Sequence, residues 1–172
     1  MPKIIENVRE QLLTEARRQV SERGYSETTI RSVSRSCGLA VGTVYNYFKS
    51  KDMLIATFVL EDWMKCLEKM KNLPRGDIYI YLEGVYNTLL GFAKDNEKLF
   101  SSEIAAKQIS SGSLERHRML RRQIADICLA VCPEVEGREF CAEFCAESLI
   151  AWSSEGKEAE RVIPLLIRVI KN

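Results

Sequence analysis

Apolar residues in this chain recur at three- and four-residue intervals nearly from end to end, and nowhere do they alternate as a half-buried strand requires. Ile5, Val8, Leu12, Ala16 and Val20 make one such stripe, and Leu120, Ile124, Ile127 and Val131 make another. Prolines, which would break the period, stand only at 2, 74, 133 and 164. A helical period sustained over the whole length confines the chain to an all-α fold. Its punctuation predicts about nine helices, near 4–23, 28–37, 40–47, 51–72, 78–93, 97–109, 114–131, 136–154 and 157–171. Gly24 and Gly38 end the first two, and LPRGD at 73–77 is the clearest joint. Pro164 is predicted to kink the last helix, because its ring removes one backbone hydrogen bond.

Composition narrows the class further. With 46% hydrophobic and 28% charged residues the chain is globular rather than disordered. No stretch approaches the roughly 18 apolar residues of a membrane span, and the charged first twenty residues are unlike a signal peptide. Six cysteines without a secretion signal point to reduced thiols and a cytoplasmic location. The net charge of +1 is unevenly spread: residues 1–54 hold nine basic and six acidic side chains, leaving −2 for the remainder. A basic N-terminal part on an acidic body is compatible with DNA contact.

Residues 31–47 give that possibility a geometry. Two helices joined by a short glycine-containing turn make a helix-turn-helix, whose second helix enters the major groove. Here Cys37-Gly38-Leu39 is the turn, and Ile30, Val33, Leu39, Val44 and Phe48 would hold the pair together. Arg31, Arg35, Val41, Gly42, Thr43, Tyr45, Asn46 and Tyr47 are left for the outer face. Ala40 stands where a Ser or Asp cap would add about 1 kcal/mol. Gly42 costs its helix up to about 1 kcal/mol but lets the backbone approach a duplex closely. Thr43 and Asn46 can address base edges, and tyrosine hydroxyls reach phosphates. Lys51 begins the next helix, where a cation opposes the dipole unless a phosphate also binds there.

The stretch YSETTIRSVSRSCGLAVGTVYNYFKSKDML at 25–54 resembles the DNA-binding domain of TetR-family transcriptional regulators. Thr28, Thr29, Gly38, Gly42, Thr43, Tyr45, Tyr47, Phe48, Lys51 and Leu54 match that family's pattern. Ser34, Cys37 and Ala40 depart from it. The resemblance implies an N-terminal DNA-binding domain over 1–50 and a helical effector-binding and dimerisation domain over 51–172, entered through the helix starting near Lys51. It also implies DNA-binding roles for Thr28, Thr29, Arg31, Val41, Gly42, Thr43, Tyr45, Asn46, Tyr47 and Lys51. The partner would be a palindromic operator, and the action repression relieved by a small molecule.

One motif reads one half-site, so the body is expected to form a homodimer. The last helix is apolar nearly all round, and with the 136–154 helix it suggests an interface through Phe140, Phe144, Trp152, Val162, Leu166 and Val169. Trp63, Tyr79, Tyr81, Tyr86, Phe92 and Phe100 gather aromatics in the middle of the chain. The candidate effector pocket takes Trp63, Tyr79, Tyr86, Phe100, His117, Leu120 and Ile124. His117 lies beside the cationic run Arg116, Arg118, Arg121 and Arg122. Cys128 with Cys132, and Cys141 with Cys145, are spaced to share helix faces, which leaves a redox- or metal-responsive regulator as an alternative. With one histidine, no nucleophile elbow and no phosphate loop, no catalytic constellation, cofactor or metal is indicated. A helical enzyme or adaptor with a vestigial helix-turn-helix is the alternative from another class.

Overall fold

The computed structural model describes residues 7–100 and 113–171, apart from the side chains of Ser113, Leu114 and Arg116. Among the described residues there are helices and no strand. In chain order they are α1 (Val8–Arg23), α2 (Ile30–Ser36), α3 (Val41–Tyr47), α4 (Lys51–Lys71), α5 (Ile78–Asp95), α6 (Glu97–Phe100), α7 (Ser113–Cys128), α8 (Arg138–Ser154) and α9 (Ala159–Lys171). The start of the first helix near residue 4 and the continuation of the sixth toward 109 lie outside the described residues.

Contacts gather the chain into two compact units. Among the described residues, the first holds 7–63 and 96–100, and the second holds 64–95 and 113–171. Helix α4 passes from one to the other.

The first unit closes on Leu12, Leu13 and Ala16 of α1, Val33 of α2, Val44 of α3 and Leu54 of α4, all fully buried. Each large aliphatic side chain removed from water contributes roughly 1.5–3 kcal/mol. The face of α1 that carries this core follows the predicted stripe. The first part of α4 is tied to α1 by a bidentate pair, Arg17 Nε and Nη2 donating to Asp62 Oδ2 and Oδ1 at 2.8 and 2.9 Å. Arg17 also lies over the Phe58 ring, 5.3 Å from its centre. Helix α6 joins this unit through buried Leu99, and Lys98 Nζ donates to the Glu22 carbonyl at the end of α1, 2.9 Å away.

The second unit is built on α5, which packs against α8 and α9, while α7 packs along α8. Tyr81 and Tyr86 are fully buried, yet each hydroxyl has a backbone acceptor: Ile127 O at 3.0 Å and Lys157 O at 2.7 Å. Buried phenols pair in this way because an unpaired hydroxyl would lose its hydration without replacement. Helix α9 continues through Pro164 to Lys171.

The structure corrects two of the residues expected at a subunit interface. Val162 and Leu166 are 8% and 3% exposed and belong to the inward face of α9 with Ile163 and Ile170. The outward apolar face of α9 is carried by Leu165 and Val169 instead. On α8, Ala142, Cys145, Ala146 and Leu149 face inward, whereas Phe140, Phe144 and Trp152 stay exposed.

Candidate nucleic-acid interface

Helix α2 begins at Thr29, whose side chain accepts a hydrogen bond from Ser32 N at 3.0 Å while Ser32 Oγ accepts one from Thr29 N at 3.0 Å. This reciprocal cap satisfies two of the donors a helix start leaves open. Thr28 has another task. It is fully buried, and its hydroxyl donates to Gly24 O at 2.9 Å, so it fixes the turn after α1 and presents nothing to a ligand. Its inclusion among DNA contacts is corrected accordingly.

The turn from α2 to α3 depends on Gly38, at φ 67°. Leu39 N donates to Ser34 O at 2.9 Å and Gly38 N to Arg35 O at 3.1 Å, the two bonds of a Schellman ending. A left-handed residue is required there, and glycine adopts it without steric cost. Helix α3 then starts at Ala40, which offers no side-chain cap. Val44 and Phe48 pin α3 to the unit's core.

One buried polar side chain locks this pair of helices to α1. Gln19, 1% exposed, accepts from Ser32 Oγ at 2.6 Å and donates to Glu15 Oε1 at 2.7 Å and Ser36 Oγ at 3.3 Å. Both ends of α2 are thereby referred to one residue of α1. Glu15 also accepts from Arg18 at 2.7 and 2.9 Å, and these bonds hold its carboxyl at about 2, well below the ordinary range.

Around that frame, Arg31, Arg35, Gly42, Tyr45, Asn46 and Tyr47 are exposed, and Val41 and Thr43 are half-exposed. From Thr28 through Lys51 the chain has no Asp or Glu, while Arg31, Arg35, Lys49 and Lys51 supply four cations. A duplex carrying about one charge per 1.7 Å meets no opposing carboxylate on this stretch. Gly42 is notable for what surrounds it. A Cβ built there finds no atom within 4 Å, so packing does not require the glycine.

Lys51 is less available than the sequence suggests. Its Nζ donates to Tyr25 O at 2.9 Å and sits 3.8 Å from the centre of the Tyr25 ring. Burial lowers its pKa. The Tyr25 hydroxyl in turn donates to Asp52, so the first two residues of α4 both grip the turn after α1. Gln19 and the Tyr25–Asp52 pair are absent from the sequence-based list. A glutamine among the apolar positions of α1 was the one signal for the first; the second joins residues 27 apart and left none.

The seven candidate pocket residues are divided between the two units. Trp63 and Phe100 belong to the first unit, one buried and one exposed. In the second, Tyr86 and Ile124 are fully buried, and half-buried His117 Nε2 lies 2.9 and 3.0 Å from the two Glu147 carboxylate oxygens. Tyr79 and Leu120 are half-exposed. None of the seven lines the cleft of about 200 Å³ between α4 and α5 in that unit, where Phe92 alone comes from the predicted aromatic group. The Trp63 and Tyr86 rings are buried in helix contacts, where their area stabilises most.

The cysteines also lie together, Cys132 Sγ being 3.9 Å from Cys141 Sγ with Cys128 and Cys145 buried beside them. Burial pushes Cys132 up to about 11, and Cys128 and Cys145 are raised as well. Reactive thiols require the opposite shift. Among the described residues no group of three or more His, Cys, Asp or Glu is placed to hold a metal ion. The thiols fill core space, and the sensing alternative finds no support in their chemistry.

The fold and its acid-free helix pair define a helix-turn-helix protein with a separate helical body. Residues 12–57 match the family model described as bacterial regulatory proteins, tetR family. Over 63 residues the chain is 32% identical to the HTH-type transcriptional regulator UidR of Escherichia coli (strain K12), covering 37% of this chain and 32% of that protein. It is 35% identical over 66 residues to the HTH-type transcriptional repressor Rv1474c of Mycobacterium tuberculosis, covering 36% and 35%. The matched region thus spans about a third of these relatives. A TetR-like transcriptional regulator from Rhodococcus sp. RHA1 superposes with a TM-score of 0.60 at 21% identity, covering 98% of this chain and 97% of that one. A TetR transcriptional regulator from Legionella pneumophila gives 0.61 at 15% identity, covering 97% and 99%. Residues 12–57 thus match the TetR family's N-terminal domain, and the chain as a whole shares the fold of TetR-like regulators.

Proposed function

We propose that the protein is a transcriptional repressor that binds a palindromic operator as a homodimer and leaves it when a small molecule binds the helical body. The observation that carries this reading is Gly42, a helix-weakening residue with open space around it in the middle of an acid-free, cationic helix pair. A glycine there makes sense where another molecule's backbone comes close. In this reading residues 1–50 read DNA and 51–172 bind effector and partner subunit. Thr43, Tyr45 and Asn46 lie in the major groove with Val41 against a thymine methyl, Arg31 touches a base edge, and Thr29, Tyr47 and Lys51 approach phosphates. Phe140, Phe144, Trp152, Leu165 and Val169 are the exposed apolar face suited to a second copy. The effector favours a spacing of the two reading helices that no longer fits successive grooves. The site of action is the cytoplasm.

Selection of bound DNA from a random pool tests the reading, followed by anisotropy titrations at low and high salt. The expected product is a two-fold symmetric sequence with half-sites about 10 base pairs apart or a multiple of that. Its affinity should fall steeply with salt. Failure to enrich any sequence, with binding indifferent to salt, would refute it and favour an enzyme or adaptor.

A further inference from the structure

We infer that Gln19, a buried residue of α1 with no DNA contact of its own, sets the base preference of Arg31 by fixing how α2 is rotated. This positioning role rests on the DNA-binding reading above.

Directional bonds in an otherwise apolar seam are the first support. Gln19 lies on the buried face of α1 with Leu12, Leu13, Ala16 and Val20. Helix α2 has seven residues, and its large apolar anchors, Ile30 and Val33, stand three apart on one side of it. Apolar contact depends on area and not on direction, so these anchors resist rolling of a helix this short only weakly. Hydrogen bonds are directional. Gln19 bonds to Ser32 and to Ser36, which share a face of α2 one turn apart, and so holds that helix at two points.

The sense of each bond is fixed as well. Glu15, kept ionised by Arg18, can only accept. The Gln19 amide must therefore turn its nitrogen to Glu15, at 2.7 Å, and its oxygen to Ser32, at 2.6 Å. Arg18, Glu15 and Gln19 form one chain of bonds along α1 that ends on α2.

The opposite consequence falls on the exposed side of α2. Arg31 and Arg35 each directly precede one of the two serines, and both are exposed. Each lies about 100° around the helix from that serine. An atom about 6 Å from the axis moves about 1 Å when a helix rolls by about 10°. That displacement takes a hydrogen bond out of its range of about 2.7–3.2 Å, and an arginine discriminates bases only while its bonds to the base edge are made.

Stability does not call for this arrangement. With methionine at position 19 the seam keeps its apolar filling, and Ser32 Oγ retains Thr29 O at 2.8 Å as an acceptor. Ser36 is exposed to water, and Glu15 keeps Arg18. Replacing the amide thus orphans no buried polar group, and what the glutamine adds is orientation.

The test uses the full chain, the duplex it selects from a random pool, and every single-base-pair variant of that duplex, read by anisotropy. Gln19→Met, its fold verified by circular dichroism, should reduce discrimination about fivefold or more at the base pair where Arg31→Ala also relaxes it. In an Arg31→Ala background the same substitution should change no ratio by more than about twofold. Ser36→Ala, at an exposed position, should give a smaller loss at the same base pair and decides the matter if the methionine variant misfolds. Equal weakening on every duplex, the same loss with Arg31 absent, or unchanged ratios in both variants would overturn the role. Amide hydrogen exchange without DNA is the second readout. Residues 33–37 should exchange about tenfold faster in Gln19→Met while α1 is unchanged, and equal rates would mean that Gln19 does not hold α2. A wild-type chain that enriches no duplex refutes the DNA-binding reading and the base-preference role with it, while the exchange result stands.

Discussion

The ammonium of Lys51 lies 2.9 Å from the Tyr25 carbonyl oxygen and 3.8 Å from the centre of the same residue's ring. A cation at a helix start, unfavourable against the dipole, thus has a partner inside the protein as well as a proposed one outside it. Lys51→Ala is expected to lower stability by about 1 kcal/mol, since the side chain keeps partial solvent contact. A denaturant midpoint that falls with an unchanged m-value would show this. DNA binding should weaken evenly across sequences, with the salt slope reduced by about 1. Arg31→Ala, at an exposed position, should leave stability alone and relax base preference. The same stability in Lys51→Ala as in wild type would mean the Tyr25 contact contributes nothing.

Gly42 invites the opposite sign. With no neighbour to disturb, Gly42→Ala is expected to stabilise the protein by up to about 1 kcal/mol while weakening operator binding. A thermal melt and an anisotropy titration on the same sample separate the two effects. Unchanged DNA affinity would remove Gly42 from the interface.

Acid should loosen the first unit through Glu15. Its folded pKa of about 2 lies below the ordinary 4.5 because Arg18, then Gln19 and Ser36, favour the carboxylate. A depressed pKa contributes stability that is complete above about pH 4.5 and is lost as the pH falls toward 2. Urea midpoints taken through that window should drop in wild type and drop less in Glu15→Gln. Parallel curves for the two proteins would assign acid sensitivity elsewhere.

The two faces of the α8–α9 pair should respond differently. Leu166, 3% exposed, faces its own core, and Leu166→Ala is expected to cost about 2–5 kcal/mol. Phe140 is 75% exposed, so Phe140→Glu should leave monomer stability nearly intact and shift sedimentation toward monomer. A Phe140→Glu protein that still sediments as a dimer would move the proposed interface off this face.

The helical period of the sequence located the elements well, and the glycine turn with its following helix was legible because few residue types satisfy such geometry. Local reading was weaker wherever a choice was settled across the fold. Thr28 and Thr29 look equivalent as caps, but the turn after α1 draws Thr28 inward to Gly24 and leaves Thr29 to start α2. Gln19 stands among the apolar positions of α1, but its partners Ser32 and Ser36 come from α2 and only the fold brings them around it. In α9 the run from Val162 to Ile167 is apolar without a break, so the pattern did not tell Leu166 from Leu165, which differ in which neighbours each meets. The aromatic residues taken for a pocket behave likewise: their size gives them equal claim to a cleft or a core.

Gly42 also has a meaning on the timescale of descent. The core gains nothing from that glycine, and its helix would be steadier without it. In a lineage that ceased to read DNA, replacement at position 42 would meet no resistance from the fold, and larger residues there would spread early. Such a residue in an otherwise similar chain would record a lost operator before any change in overall architecture.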